Sequence, residues 1–225
     1  NETPSYICHA CLKAIPFTKG FACAFCKSPA RAGKTCIYCI TDHFLDRLLV
    51  ATSYENSLVV KIIKTAKYRF VRSLADEMAD LMIKYLEKKA KWLTDQDGIE
   101  VISVPLHRLR LNWRGFNQAE FMAKKIADFF DWPLSVDTLR RCHNRKPQAN
   151  MPDRLSRVEN AKNLFQIYDD HQTVDFANKT ILLIDDISTT GSTLNDCTRA
   201  LKGAGAKEVI GFVFARGKLD NKSKI

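Results

Sequence analysis

No apolar stretch in this chain of 225 residues approaches the roughly 20 that a membrane-crossing helix needs. The N-terminus carries no basic segment followed by an apolar run of signal-peptide type, and the chain reads as cytoplasmic. Low-complexity tracts are absent, and no long internal repeat exists, which argues against disordered scaffolds and solenoids. The GxxxxGK[ST] pattern occurs nowhere, which excludes a P-loop. His9, His43, His107, His143 and His171 share no spacing of the kind a metal site needs. Acidic residues are in short supply: 25 against 35 Lys and Arg leave a net charge of +10. That balance favours anionic partners such as phosphorylated metabolites, nucleic acid or an acidic membrane surface.

With 46% hydrophobic and 27% charged residues, the chain can bury one ordinary core and a small appendage. The appendage is marked by cysteine. Six of the eight cysteines precede residue 40, in three CxxC pairs: Cys8/Cys11, Cys23/Cys26 and Cys36/Cys39. A repeated CxxC without a leader favours tetrahedral zinc over disulfides. Cys23, Cys26, Cys36 and Cys39 complete a four-sulfur site across a short loop containing Gly33. Cys8 and Cys11 belong to a second site completed by residues upstream, or else they pair with Cys23/Cys26. The chain opens with Asn1 rather than Met, and its first cysteine pair follows at once, so an upstream piece is expected to be missing. Residues 1–40 are too poor in apolar side chains for a core without a metal, and the boundary falls near Thr41, leaving 41–225 as the main domain. Cys142 and Cys197 are isolated, the latter a core residue of a helix.

Strands and helices alternate through the main domain. Leu45 to Tyr54 is a strand; Glu55 to Lys88 carries apolar residues at helical spacing and predicts two helices. Lys88 to Gly98 is a polar connection, Ile99 to Val104 a short strand stopped by Pro105, and a basic loop follows before a helix over Phe116 to Phe130. Arg140 to Lys162, rich in Arg, Lys, Asn, Gln and Pro, reads as a long mobile loop before a short strand at Asn163 to Ile167. Lys179 to Ile184 suits a strand buried on both faces; Ser192 to Gly203 is a helix and Val209 to Ala215 another buried strand. The alternation predicts an α/β fold: a parallel sheet with helices on both faces, preceded by the cysteine module.

Ligands of open α/β sheets bind at the carboxyl ends of the strands, which is where Asp185 and Asp186 follow the run ILLI. Adjacent carboxylates suit the vicinal hydroxyls of a ribose. Ser188, Thr189, Thr190, Gly191, Ser192 and Thr193 add hydroxyls and close-approaching amides ahead of a helix, an arrangement suited to a phosphate dianion.

Ile181 to Thr193 resembles the phosphoribosyl pyrophosphate motif of type I phosphoribosyltransferases, and Val104 to Gln118 (VPLHRLRLNWRGFNQ) resembles a second hallmark of the ComF, or competence protein F, family. The likeness also takes in the cysteine pairs, the entry Phe44 to Leu48 and a Lys146 to Gln148 loop, and so spans most of the chain. Ser188 departs from it, standing where many members carry an aliphatic or aromatic residue. The resemblance implies a phosphoribosyltransferase-type sheet, phosphoribosyl pyrophosphate or a related ribose 5-phosphate as ligand, and magnesium held with it. It implies that Arg114, Asn117 and Gln118 meet the pyrophosphate, and that Arg145 and Lys146 reach it from the Arg140 to Arg157 loop. Arg108, Arg110 and Arg114 carry guanidinium forks that match phosphate oxygens.

Two functions follow as expectations. One is an enzyme transferring phosphoribose to an unidentified acceptor. The other is a non-catalytic DNA-uptake factor of natural competence that holds single-stranded DNA, with the sugar-phosphate site as a sensor; Trp113 beside Arg114 and Phe25 beside Lys27 are candidates to stack bases.

Overall fold

The computed structural model describes residues 6–68, 73–141, 164–168 and 175–217, except for the side chains of Tyr68, Arg108, Arg110 and Arg114. Five parallel strands form the main sheet in the order β1 (Arg47–Ser53), β7 (Glu208–Arg216), β6 (Thr180–Ser188), β2 (Ile99–Ser103) and β3 (Leu134–Ser135). Alternation along the strands divides their side chains between two cores. Leu182 and Ile184 of β6, Ile210, Phe212 and Phe214 of β7, and Leu49 and Ala51 of β1 meet α3 (Ser73–Lys89) and α6 (Gln118–Phe130) on one face. Ile181 and Leu183, Val209 and Val213, and Leu48 meet α7 (Ser192–Gly203) on the other. A two-stranded antiparallel ribbon, β4 (Leu139–Arg141) with β5 (Phe165–Ile167), packs on that second face beside α7.

Local signals account for the helix starts. The Asn56 side chain accepts hydrogen bonds from the amides of Leu58 and Val59 at 3.0 and 3.3 Å and so opens α2 (Ser57–Tyr68). Asn117 does the same for α6 through the amide of Ala119 at 3.2 Å. The basic loop expected after Pro105 is instead largely helical: α5 (Arg108–Arg114) is opened by His107, whose ring Nδ1 accepts from the Leu109 amide, and closed by Gly115 in the left-handed region at φ 74°. A short helix, α4 (Lys91–Thr94), interrupts the polar connection after α3. Strand β6 runs on to Ser188 rather than ending at Ile184, because β7 pairs with it as far as Arg216.

Residues before 41 do not bury their apolar side chains among themselves alone. Ile7, beside α1 (His9–Ala14), and Ile15 join the α3/α6 core, and the Glu77 carboxylate of α3 accepts from the amides of Tyr6 and Ile7 at 2.6 and 2.9 Å. Thr35 donates its amide to Asp46 at 2.8 Å, and Lys34 bridges to Arg47 at the start of β1. Gly33 makes this approach possible: its φ is 70°, and a Cβ added there would overlap the Leu48 carbonyl oxygen. Gly33→Ala is therefore expected to destabilise the protein by at least about 2 kcal/mol, combining backbone strain with displacement of the module from β1. Chemical denaturation checks this; a loss below about 0.5 kcal/mol, ordinary for a surface substitution, would refute it.

Candidate functional site

Strand β6 carries the two acids to the carboxyl edge of the sheet. Asp185 continues the parity of Ile181 and Leu183, and Asp186 that of Leu182 and Ile184, so their side chains leave opposite faces of the strand. Both line one cavity of about 170 Å³, together with Lys67 of α2, Asn117, Gln118 and Thr193. Lys67 donates to both carboxylate oxygens of Asp186, at 2.9 and 2.8 Å. This residue went unread in the sequence, since nothing in α2 announces a partner 119 positions away. Burial, followed by the charge of Asp186, pushes the Asp185 carboxyl up to about 7; the Asp186 amide, at 2.8 Å, and Lys67 act against that rise.

Other expected site residues are distributed more widely. Asn117 and Gln118 spend their amide groups on the frame: Asn117 donates to the Val104 carbonyl at 3.0 Å and Gln118 to the Ala66 carbonyl at 3.1 Å, tying α6 to β2 and α2. Gly191 sits at φ 81° ahead of α7, whose first turn contains no acidic residue to repel an anion. The Thr190 and Ser192 hydroxyls lie 2.7 Å apart, and the Ser192 amide donates to Thr190 at 3.2 Å. These two residues line a different cavity, of about 350 Å³, with Phe25, His43 and Asn195. Thr189 is exposed, and Ser188 is buried, its carbonyl accepting from the Gly217 amide at 2.9 Å. Arg114 lies on α5, its side chain outside the described ones; Arg145, Lys146 and Cys142 lie outside the described residues. Trp113 is 58% exposed, whereas Phe25 is partly buried and stacked on His43 with ring centroids 3.5 Å apart.

Four sulfurs converge in the N-terminal module. The Sγ atoms of Cys23, Cys26, Cys36 and Cys39 all lie within 4.8 Å of one another, and those of Cys26 and Cys36 are 3.5 Å apart. Tetrahedral zinc with bonds of about 2.3 Å places its sulfurs about 3.8 Å apart, so the cluster could hold this ion. Lys27, at φ 65°, folds the first CxxC turn and donates its amide to Cys23 at 3.2 Å, while the Cys36 amide points at the Cys23 sulfur at 3.5 Å. Hydrogen bonds from Ser28, and then from Cys36, bring the Cys26 thiol down to about 6; burial and the neighbouring sulfurs push Cys39 up to about 12. Crowded thiols ionise unequally in this way until a cation offsets their mutual repulsion. Cys8 and Cys11 hydrogen-bond to each other and stand outside the cluster; Cys197 is fully buried in α7.

The raised Asp185 makes stability depend on pH with a definite sign. Its unfolded value is the ordinary 3.8 and its folded value about 7, so the folded state binds the proton more tightly. The ionised carboxylate therefore weakens the fold increasingly as pH rises from about 4 to 7, and fully above that. Asp185→Asn is expected to raise the melting temperature at pH 8, by about 2–4 °C for each kcal/mol regained, with the difference shrinking towards pH 5. Thermal melts at the two pH values check it; an equal or inverted difference would count against the assignment.

A family model described as phosphoribosyl transferase domain matches residues 114–224. Competence protein F of Haemophilus influenzae is 26% identical over 208 residues, covering 90% of this chain and 87% of that protein. Competence protein ComFC of Bacillus subtilis is 23% identical, over 93% of this chain and 84% of that one. Among solved structures, a purine phosphoribosyltransferase from Pyrococcus horikoshii aligns with a TM-score of 0.36 at 16% identity, over 62% of this chain and 83% of that one. The matched domain, the four-sulfur cluster and the likeness to competence proteins over about nine-tenths of the chain show a phosphoribosyltransferase-type domain behind an N-terminal cysteine module, in a chain similar throughout to the ComF proteins.

Proposed function

We propose that this protein binds phosphoribosyl pyrophosphate together with magnesium at the carboxyl edge of β6. The observation that carries the reading is the convergence of Asp185, Asp186 and Thr193 on one cavity, directly before a helix whose N-terminus is turned by Gly191. The acids accept from the ribose hydroxyls, and the 189–193 turn receives the 5′-phosphate. Oxygen donors of this kind suit magnesium, a hard cation brought largely by the ligand's own phosphates. Lys67, which neutralises Asp186, releases or shares that carboxylate as the sugar arrives. Arg114, Arg145 and Lys146 are proposed for the pyrophosphate side, where transfer to an acceptor would require the leaving group to be neutralised and water excluded.

Calorimetry with phosphoribosyl pyrophosphate and magnesium tests this directly. Heat of binding is expected for the wild type, and Asp185→Ala with Asp186→Ala should weaken it at least about 100-fold, the loss of two charge-assisted hydrogen bonds at about 1.5 kcal/mol each. No heat from the wild type, or affinity unchanged in the double variant, would sink the proposal.

A second reading, the holding of single-stranded DNA, is favoured by exposed Trp113 on a helix with three arginines, by the net charge of +10 and by the competence names of the relatives. DNA binding that weakens with salt and survives the double variant would place it on a separate surface. We further propose that zinc occupies the four-sulfur cluster. Elemental analysis should find it in the wild type and not in Cys36→Ser, whose melting temperature should fall; equal zinc in both would overturn the ligand set.

A further inference from the structure

The cavity at the carboxyl edge of β6 already contains a cation. Lys67 comes from the last turn of α2, and its ammonium donates to Oδ1 of Asp186 at 2.9 Å and to Oδ2 at 2.8 Å. A single Nζ at nearly equal distances from both oxygens stands on the bisector of the carboxylate. That is a position from which a divalent cation can hold such a group, magnesium at about 2.1 Å. Lys67 and Asp186 line the cavity with Asp185, and their side chains are 19% and 11% exposed, so water screens the pair only in part. A divalent ion entering here would meet the ammonium in its own place.

The backbone of Lys67 is anchored, and its stem is long. Ala66 is buried in the α3/α6 core, and its carbonyl accepts from Gln118 Nε2 at 3.1 Å, a link from the end of α2 to the start of α6. Gln118 itself lines the cavity. The ammonium therefore has a fixed origin and four methylene groups of reach. Arg141 and His107 line the same cavity, so a phosphorylated ligand finds nitrogen donors on several sides, whereas a bare metal ion finds two acids of which one is already paired. The contrast gives a direction: phosphate oxygens attract the ammonium, and a metal ion repels it.

We infer that Lys67 is the counter-ion that keeps divalent metal off Asp185 and Asp186 until a phosphorylated ligand draws its ammonium away. The inference rests on the reading of this cavity as a sugar-phosphate site and adds an order of binding to it. Without ligand, the ammonium satisfies Asp186, and its charge bars a second cation from the same carboxylate. A ligand phosphate then takes the ammonium in a charge-assisted hydrogen bond, and the freed carboxylate faces the metal and hydroxyls that arrive with the ligand. Metal bound ahead of the ligand would have to be held by protein carboxylates; metal bound with it is held largely by phosphate. Lys67 thus makes metal binding conditional on phosphate.

The test is titration of Mn²⁺, followed by the paramagnetic resonance signal of the free ion, into the zinc-loaded full chain without any phosphorylated ligand. The wild type is expected to take up no Mn²⁺ at the two acids, so that Asp186→Asn alters nothing. Lys67→Gln should bind one ion at least about tenfold more tightly, since a unit positive charge beside the carboxylates is gone. Lys67→Met should do the same and serves if Lys67→Gln does not fold. Lys67→Arg should retain the exclusion, and Asp186→Asn added to Lys67→Gln should abolish the gain. Wild-type uptake that is lost in Asp186→Asn overturns the inference, and that measurement needs no lysine variant. Equal uptake in the wild type and both neutral variants refutes it too, as does a gain that survives Asp186→Asn, which puts the ion elsewhere. Inorganic pyrophosphate, titrated without magnesium, should bind the wild type at least about tenfold more tightly than Lys67→Gln, the strength of one charge-assisted hydrogen bond. Equal affinity, or no binding to the wild type, overturns the passage of the ammonium to phosphate. None of these readouts needs phosphoribosyl pyrophosphate, so failure of the proposed sugar-phosphate binding stays distinguishable from failure here.

Discussion

Strand β6 is hydrogen-bonded along both of its edges, to β2 from Thr180 to Ile184 and to β7 from Thr180 to Ser188. A strand so enclosed can bury every side chain that is apolar and must deliver the others to an end. Ile181, Leu182, Leu183 and Ile184 are each fully enclosed, and the carboxylates follow where β2 has stopped pairing and only β7 remains. That inequality of strand lengths opens space beside Asp185 and Asp186 while still holding their backbone. Asn117 and Gln118 then fix the opposite wall by hydrogen bonds to Val104 and Ala66, so the cavity is a product of backbone pairing as much as of side chains.

The electrostatics of the edge follow from the same arrangement. Two adjacent carboxylates on one strand repel, and the low-dielectric setting makes the repulsion matter. Lys67 stabilises one of them directly; the other resolves the conflict by holding its proton to about neutral pH. The site is thus balanced close to the point where a cation or a hydroxyl donor changes its protonation. A loop with amides but no acids, at the start of α7, provides the complementary pole for an anion.

Much of this was legible from residue order. The apolar run of β6, the helix beginning at Ser192 and the CxxC spacing each follow from a local rule; the structure forms the strand and the helix there and gathers the sulfurs of two of the three cysteine pairs. What escaped was non-local. Lys67 lies on a helix whose sequence gives no hint of Asp186, and Arg216 reads as the end of a buried strand until the Cys23 turn is seen against it. The extension of β6 to Ser188 depends on the length of β7, which no window over β6 contains. In α5 the composition pointed to a loop; the His107 cap and the left-handed Gly115 were the signals that outweighed three arginines. The N-terminal segment is poor in apolar residues, and Ile7 and Ile15 offset that by joining a core built by α3 and α6.

Gly191 has neighbours on both sides of its role. Its φ of 81° turns the chain into α7, and a Cβ at that position would come within 3.3 Å of the Phe25 ring, which itself rests on His43. A side chain at 191 would strain the backbone and press on the ring together. Drift at one of these positions therefore meets resistance from the other, and the cysteine module and the helix entrance are constrained to change in concert. A chain that traded away its N-terminal module would have to rebuild the outer surface of its own glycine turn.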